Sequence, residues 1–177
     1  VMAADSSTSH FELFGLPQSF EVDLALLDAR YRELQRSMHP DRFVNASDQE
    51  RRLSMQQATR INEGHQTLRD PLKRGRYLLE LSGYRQHDQQ HTTRDAAFLM
   101  EQMELREKLD AMADLVDPDT VLDHLVLEIN GDIKAHQTEF EQAYGADDLA
   151  AAAAACVKMQ YLEKLLQNAE QIESDLM

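Results

Sequence analysis

The sequence predicts an all-α protein built from two helical modules, and three observations carry that prediction. Breakers are scarce, with 6 Gly and 4 Pro among 177 residues, while Ala, Leu, Glu and Gln are abundant. Apolar residues recur at steps of three and four, with no strand-like alternation. Charge is also divided unevenly. Residues 1–85 carry twelve basic and twelve acidic side chains, whereas residues 86–177 carry six and twenty, the whole of the net −14. Halves so different suit two modules with different partners. Nucleic acid is not expected among them, because its recognition needs a basic footprint.

In order along the chain, His10 to Pro17 forms a short apolar turn closed by Gly15 and Pro17. A helix is predicted from about Asp23, a suitable N-cap, to Met38, with Leu24, Leu27, Tyr31, Leu34 and Met38 on one buried stripe. Arg30, Arg32 and Arg36 fall between these positions and make the opposite side basic, which a merely solvated face would also explain. His39-Pro40-Asp41 must end the helix, since a residue before proline is pushed out of the helical region. Ser47 or Asp48 caps the next helix, whose stripe reads Met55, Ala58, Ile61, His65 and Leu68. Asp70-Pro71 breaks it, and Tyr77, Leu78 and Leu81 lie on a short fourth helix. The first module, residues 8–82, is thus a helical hairpin joined by a loop bearing His39-Pro40-Asp41.

Residues 83–93 read as a polar linker. His87 and His91 stand at a metal-ligand spacing there, but no third ligand is arranged with them. Thr92 with Asp95 resembles a capping box opening the second module, 94–177. Three helices are predicted at about 94–115, 119–143 and 147–175, a three-helix bundle. The second carries Leu122, Val126, Ile129, Ile133, Phe140 and Ala143, with Gly131 as a place to kink. The third carries Leu149, Cys156, Met159, Leu162, Leu166, Ala169 and Ile172. Cys156 is therefore read as core, and as the only cysteine it excludes an internal disulfide or a thiolate-held cluster.

On a wheel of about 100° per residue starting at Phe98, Leu105, Leu109, Met112 and Val116 fall within roughly 40° of zero. Leu99, Met103, Glu107 and Met100 fall at roughly 100°, 140°, 180° and 200°. A bundle buries one face of each helix, so apolar residues on the other face, rimmed by Glu104 and Glu107, form a candidate interaction patch. Packing against the first module is the alternative reading. No phosphate loop, metal triad or Ser–His–acid pattern is present, so neither an enzyme nor a cofactor is expected. The polar N-terminal residues predict no signal peptide, and the longest apolar run, Leu149 to Val157, is too short to span a bilayer. With a single cysteine, this points to the cytoplasm.

His39-Pro40-Asp41 would arise by chance in roughly one chain in a hundred of this length. Together with Leu34, Arg42, Phe43, Ile61-Asn62, Leu68-Arg69-Asp70-Pro71 and Tyr77, it resembles a J domain. The resemblance implies that His39, Pro40 and Asp41, helped by Arg32, Arg36 and Arg42, dock on the ATPase domain of a DnaK-type chaperone. The run His91-Thr92-Thr93-Arg94-Asp95, followed by Phe98 to Glu107, resembles the C-terminal domain of the HscB family, so the similarity covers nearly the whole chain. This implies a co-chaperone of iron–sulfur biogenesis. Its client would be the IscU-type scaffold protein, held by Leu99, Met100, Met103, Glu104, Glu107 and Tyr161, and its chaperone would be HscA. A J-domain adaptor for a different client is the alternative. Two positions depart from the family pattern: Arg42 replaces a common Lys and keeps its charge, and His65 replaces a common large aromatic, which bears on hairpin packing. The cysteine-rich zinc extension of some relatives is absent, as in the bacterial form.

Overall fold

A computed structural model describes residues 8–84 and 93–177. His87, His91 and Thr92, with the metal and capping readings attached to them, lie outside the described residues. Among the described residues the regular structure is entirely helical. The α-helices are α1 His10–Leu13, α2 Leu24–Met38, α3 Asp48–Arg69, α4 Pro71–Leu81, α5 Ala96–Asp110, α6 Pro118–Gly145 and α7 Leu149–Leu176. Short 3-10 turns occupy Pro40–Phe43 and Met112–Asp114. The chain divides into two compact units that part between Leu78 and Leu79.

In the first unit, Asp23 caps α2 by accepting the Leu26 N–H at 3.1 Å, and Ser47 caps α3 through the Glu50 N–H at 3.2 Å. His39 is extended, with φ −62° and ψ 133°, because Pro40 follows it, and α2 stops at Met38. α2 and α3 pair, and α1 packs on α3. Phe11, Phe14, Leu27, Ile61 and Leu68 are buried. The two stripes are narrower than the sequence predicts. Leu24 is 40% and Met55 60% exposed. Met55 lies about 120° round α3 from Ile61, whereas Ser54, about 20° away, is buried in its place.

Gly15 has φ +62°, and an added Cβ there would strike the Arg30 guanidinium. That guanidinium donates to the carbonyls of Phe14 at 2.7 Å and Gly15 at 2.9 Å. Arg30 therefore fastens the N-terminal turn to α2 and is withdrawn from the basic face on which the sequence places it. Gly64 lets α3 approach α1 closely, since a Cβ would lie 3.0 Å from Phe14 Cε2 and 3.1 Å from His10 Nδ1.

In the second unit α6 and α7 form the main hairpin, and α5 rests on α7. Phe98, Leu105, Leu109, Met112, Leu122, Leu125, Ile129, Leu162, Leu165 and Ala169 form the core, with Val126, Ile133, Tyr161, Leu166 and Ile172 packed around it. Leu125 and Leu165 thus take the central places that the periodicity gives to Val126 and Leu166. α5 is shorter than expected. Asp95 accepts the Phe98 N–H at 3.1 Å and starts the helix at Ala96, while Leu115 is extended. Val116 lies beyond the helix and is fully exposed, not core. α6 runs unbroken through Gly131, and Cys156 is fully buried on α7.

Candidate functional site: an exposed loop and an apolar helix face

The His39-Pro40-Asp41 loop is held from both sides. Ser54, 2% exposed, donates its hydroxyl to the Met38 carbonyl at 3.0 Å, tying the end of α2 to α3. That bond satisfies a carbonyl the helix end leaves without a partner. His39 Nδ1 accepts the Asp41 N–H at 3.2 Å, which places the proton of the neutral ring on Nε2. The same Nδ1 lies 3.6 Å from Asp41 Oδ2, and the two side chains are 50% and 88% exposed. The backbone bond fixes the His39 ring, and the loop presents its Nε2–H and the exposed Asp41 carboxylate to solvent side by side. Arg32, Arg36 and Arg42 are all exposed. Arg36, His39 and Arg42 share a shallow depression of about 440 Å³ with Gln35. Gln35, which the sequence reading did not single out, lies in the last turn of α2 beside Arg36, and the loop brings His39 and Arg42 back to it.

The outer face of α5 follows the wheel. Met100 and Met103 are 64% and 63% exposed, and Glu104 and Glu107 stand beside them, also exposed. Leu99 is half-buried, as its position nearer the core stripe requires. Gln102, about 40° from Phe98 on the wheel, is buried among the core positions. Tyr161 is set apart from the exposed group. It is half-buried against the core, its ring edge-on to Phe98 with centroids 6.1 Å apart. On the other flank, a cleft of about 260 Å³ is lined by Glu101, Glu104, Leu105, Lys108, Glu128 and Asp132. Glu128 and Asp132 come from α6, so only the tertiary fold brings them to Glu104. Four carboxylates and one ammonium make this flank strongly acidic.

Among the described residues no group of three His, Cys, Asp or Glu could hold a metal ion. No described helix is long and apolar enough to cross a membrane.

Residues 94–170 match the family model described as the HSCB C-terminal oligomerisation domain. The co-chaperone protein HscB homolog of Shewanella loihica is 41% identical over 171 residues, which is 95% of this chain and 99% of that one. Chaperone HscB from Vibrio cholerae is 37% identical with a TM-score of 0.87, covering 96% of this chain and 100% of that one. Human co-chaperone protein HscB also gives 0.87 at 31% identity, covering 100% of this chain and 86% of that one. The hairpin that displays His39-Pro40-Asp41, followed by a helical bundle, defines a J-domain protein with a C-terminal helical module. The chain belongs to the HscB family.

Proposed function

We propose that this chain stimulates the ATPase of a DnaK/HscA-type chaperone and delivers an IscU-type iron–sulfur scaffold protein to it. Residues 8–82 act as the J domain, 83–93 as linker and 94–177 as the client module. His39, Pro40 and Asp41 form the chaperone contact, with Arg32, Arg36 and Arg42 supplying positive charge beside it. Leu99, Met100, Met103, Glu104, Glu107 and Tyr161 receive the scaffold. The chain is itself no enzyme in this reading; the partner performs the hydrolysis.

The observation that carries the proposal is the exposed His39–Asp41 pair at the end of a basic helix. An exposed carboxylate is a ready partner for an arginine on another protein. On the client side, burying three such side chains contributes about 5–9 kcal/mol gross, against an association cost of roughly 4–15 kcal/mol. Leu99 is half-buried already, which lowers that gain further. Even the most favourable balance, about 5 kcal/mol net, gives only sub-millimolar binding, so the apolar patch by itself holds the scaffold weakly and releasably.

His39→Gln tests the chaperone contact. The side chain is half exposed and has no core role, so stability should move by less than about 0.5 kcal/mol. Stimulation of the chaperone's ATPase, read as phosphate release, should vanish while scaffold binding persists. Full stimulation by the variant would sink the proposal. Stimulation without any scaffold binding by the unmodified chain would favour an adaptor for another client.

A further inference from the structure

Lys158 on α7 is only 14% exposed, uncommon burial for a lysine. Its Nζ lies 3.1 Å from Asp95 Oδ2 and 3.9 Å from Glu139 Oε1. Asp95 is the N-cap of α5, so one carboxylate closes the first turn with Oδ1 and reaches α7 with Oδ2. Glu139, on α6, is 2.8 Å from His136 Nδ1 through its other oxygen. Beneath the ammonium lies the Phe98 ring, with 5.7 Å from Nζ to the centroid. The same ring is edge-on to His136 at 5.6 Å and to Tyr161 at 6.1 Å. Three helices thus converge on one ammonium, over one aromatic ring.

That convergence occurs where α5 needs it. α5 leans on α7, and its first two turns carry Leu99, Met100 and Met103. The buried stripe of Phe98, Leu105 and Leu109 sets the rotation of α5 along its length, and the ion pair at its cap ties down the first turn, where that stripe begins. We propose that Lys158 is a positioning residue: its ammonium, held between Asp95 and Glu139 above the Phe98 ring, pins the first turn of α5 against α6 and α7 and so sets where Leu99, Met100 and Met103 stand in the scaffold-binding face. The inference rests on the scaffold reading of that face. Lys158 acts through its neighbours and need not touch the scaffold.

The test uses the full chain titrated with an IscU-type scaffold in a calorimeter. Lys158→Met keeps the stem and removes the charge. Asp95→Asn keeps an oxygen for the Phe98 N–H and removes the ion pair. Both should weaken scaffold binding about five- to tenfold, with melting lowered by about 4 °C or less. Lys158→Arg should restore the affinity to within about twofold, because the guanidinium can span the same two carboxylates. In the chaperone ATPase assay, the scaffold concentration for half-maximal effect should rise in the same ratio, with the maximum unchanged. Should Lys158→Met fold poorly, Asp95→Asn carries the test alone. Wild-type affinity in Asp95→Asn, or an arginine variant as weak as the methionine one, overturns the role of Lys158. If the unmodified chain or its Leu99/Met100/Met103 alanine variant shows that α5 does not bind scaffold at all, the functional reading falls, and this inference with it.

Discussion

His65 lies flat against Tyr31, with ring centroids 3.9 Å apart and planes 14° from parallel, and its Nε2 is 2.8 Å from Asp28 Oδ1. Arg69 reaches the other oxygen of Asp28 at 2.7 Å, and the Tyr31 hydroxyl donates to Asn62 at 2.7 Å. A histidine here replaces the bulk of a larger ring with stacking plus a hydrogen bond that joins α2 to α3. The His65 bond, with help from the charges of Arg69, His65 and Arg32, holds the Asp28 carboxyl below the usual range, against an opposing push from burial. A carboxyl lowered by folding contributes stability that is complete above its unfolded value and disappears as pH falls through the folded one. Melting temperature should therefore fall between about pH 5 and pH 2 more steeply in the unmodified chain than in Asp28→Asn, and the two curves should converge in acid. Parallel curves from circular dichroism would show that Asp28 contributes nothing. His65 was visible in the sequence as an odd residue on a buried stripe, but its partners were not. Asp28 lies 37 residues away, so the bond depends on the register of α2 against α3. Arg30 is the same lesson in reverse. Its spacing puts it with Arg32 and Arg36, and only the position of the Gly15 turn reveals that it is engaged.

α5 is the element on which the client reading turns. Replacing Leu99, Met100 and Met103 together by alanine should abolish scaffold binding in a pulldown while basal chaperone stimulation continues. Two of the three side chains are mostly exposed, so removing them opens no cavity. Half-buried Leu99 should account for most of a stability loss of about 1–2 kcal/mol, far below the roughly 6 kcal/mol or more of a core triple truncation. Alanine also favours the helix. Collapse of the melting transition would mean that this face is packed, and retained binding would move the client elsewhere. The longer helices and their order were legible because periodicity is a local property, whereas α1, a single helical turn at His10–Leu13, read only as a turn. Helix ends and exact phase were less so. The 3.6-residue repeat drifts against any chosen set of i+3 and i+4 steps, which is why Leu125 and Leu165, one position from the expected residues, lie in the core. Val116 shows the same limit at a terminus: it continues the wheel, but the chain has already turned away at Leu115.

At the scale of the molecule, charge separates the two halves, with a balanced first 85 residues and an acidic remainder. Arg32→Ala combined with Arg36→Ala should slow association with the chaperone, and the unmodified interaction should weaken as salt rises. Exposed charges steer partners over a range screened beyond about 8–10 Å at physiological ionic strength. Scaffold affinity should be unaltered in this double variant, since it alters only the first unit. Association rates from surface plasmon resonance that do not change with salt would reduce the arginines to solvated surface. The division of charge was readable from composition alone. The acidic cleft was not, because Glu128 and Asp132 join Glu104 only after α6 folds back.

The close approach at Gly64 also bears on how this sequence can diverge. A methyl group at position 64 would press on the ring of Phe14, which is 1% exposed, and on the ring of His10, and each would have to give by a few tenths of an ångström. A larger residue there therefore presses on positions 10 and 14, some 50 residues earlier in the chain. Substitution at position 64 is thus coupled to the side chains at 10 and 14, so the cost of enlarging it depends on what those distant positions carry.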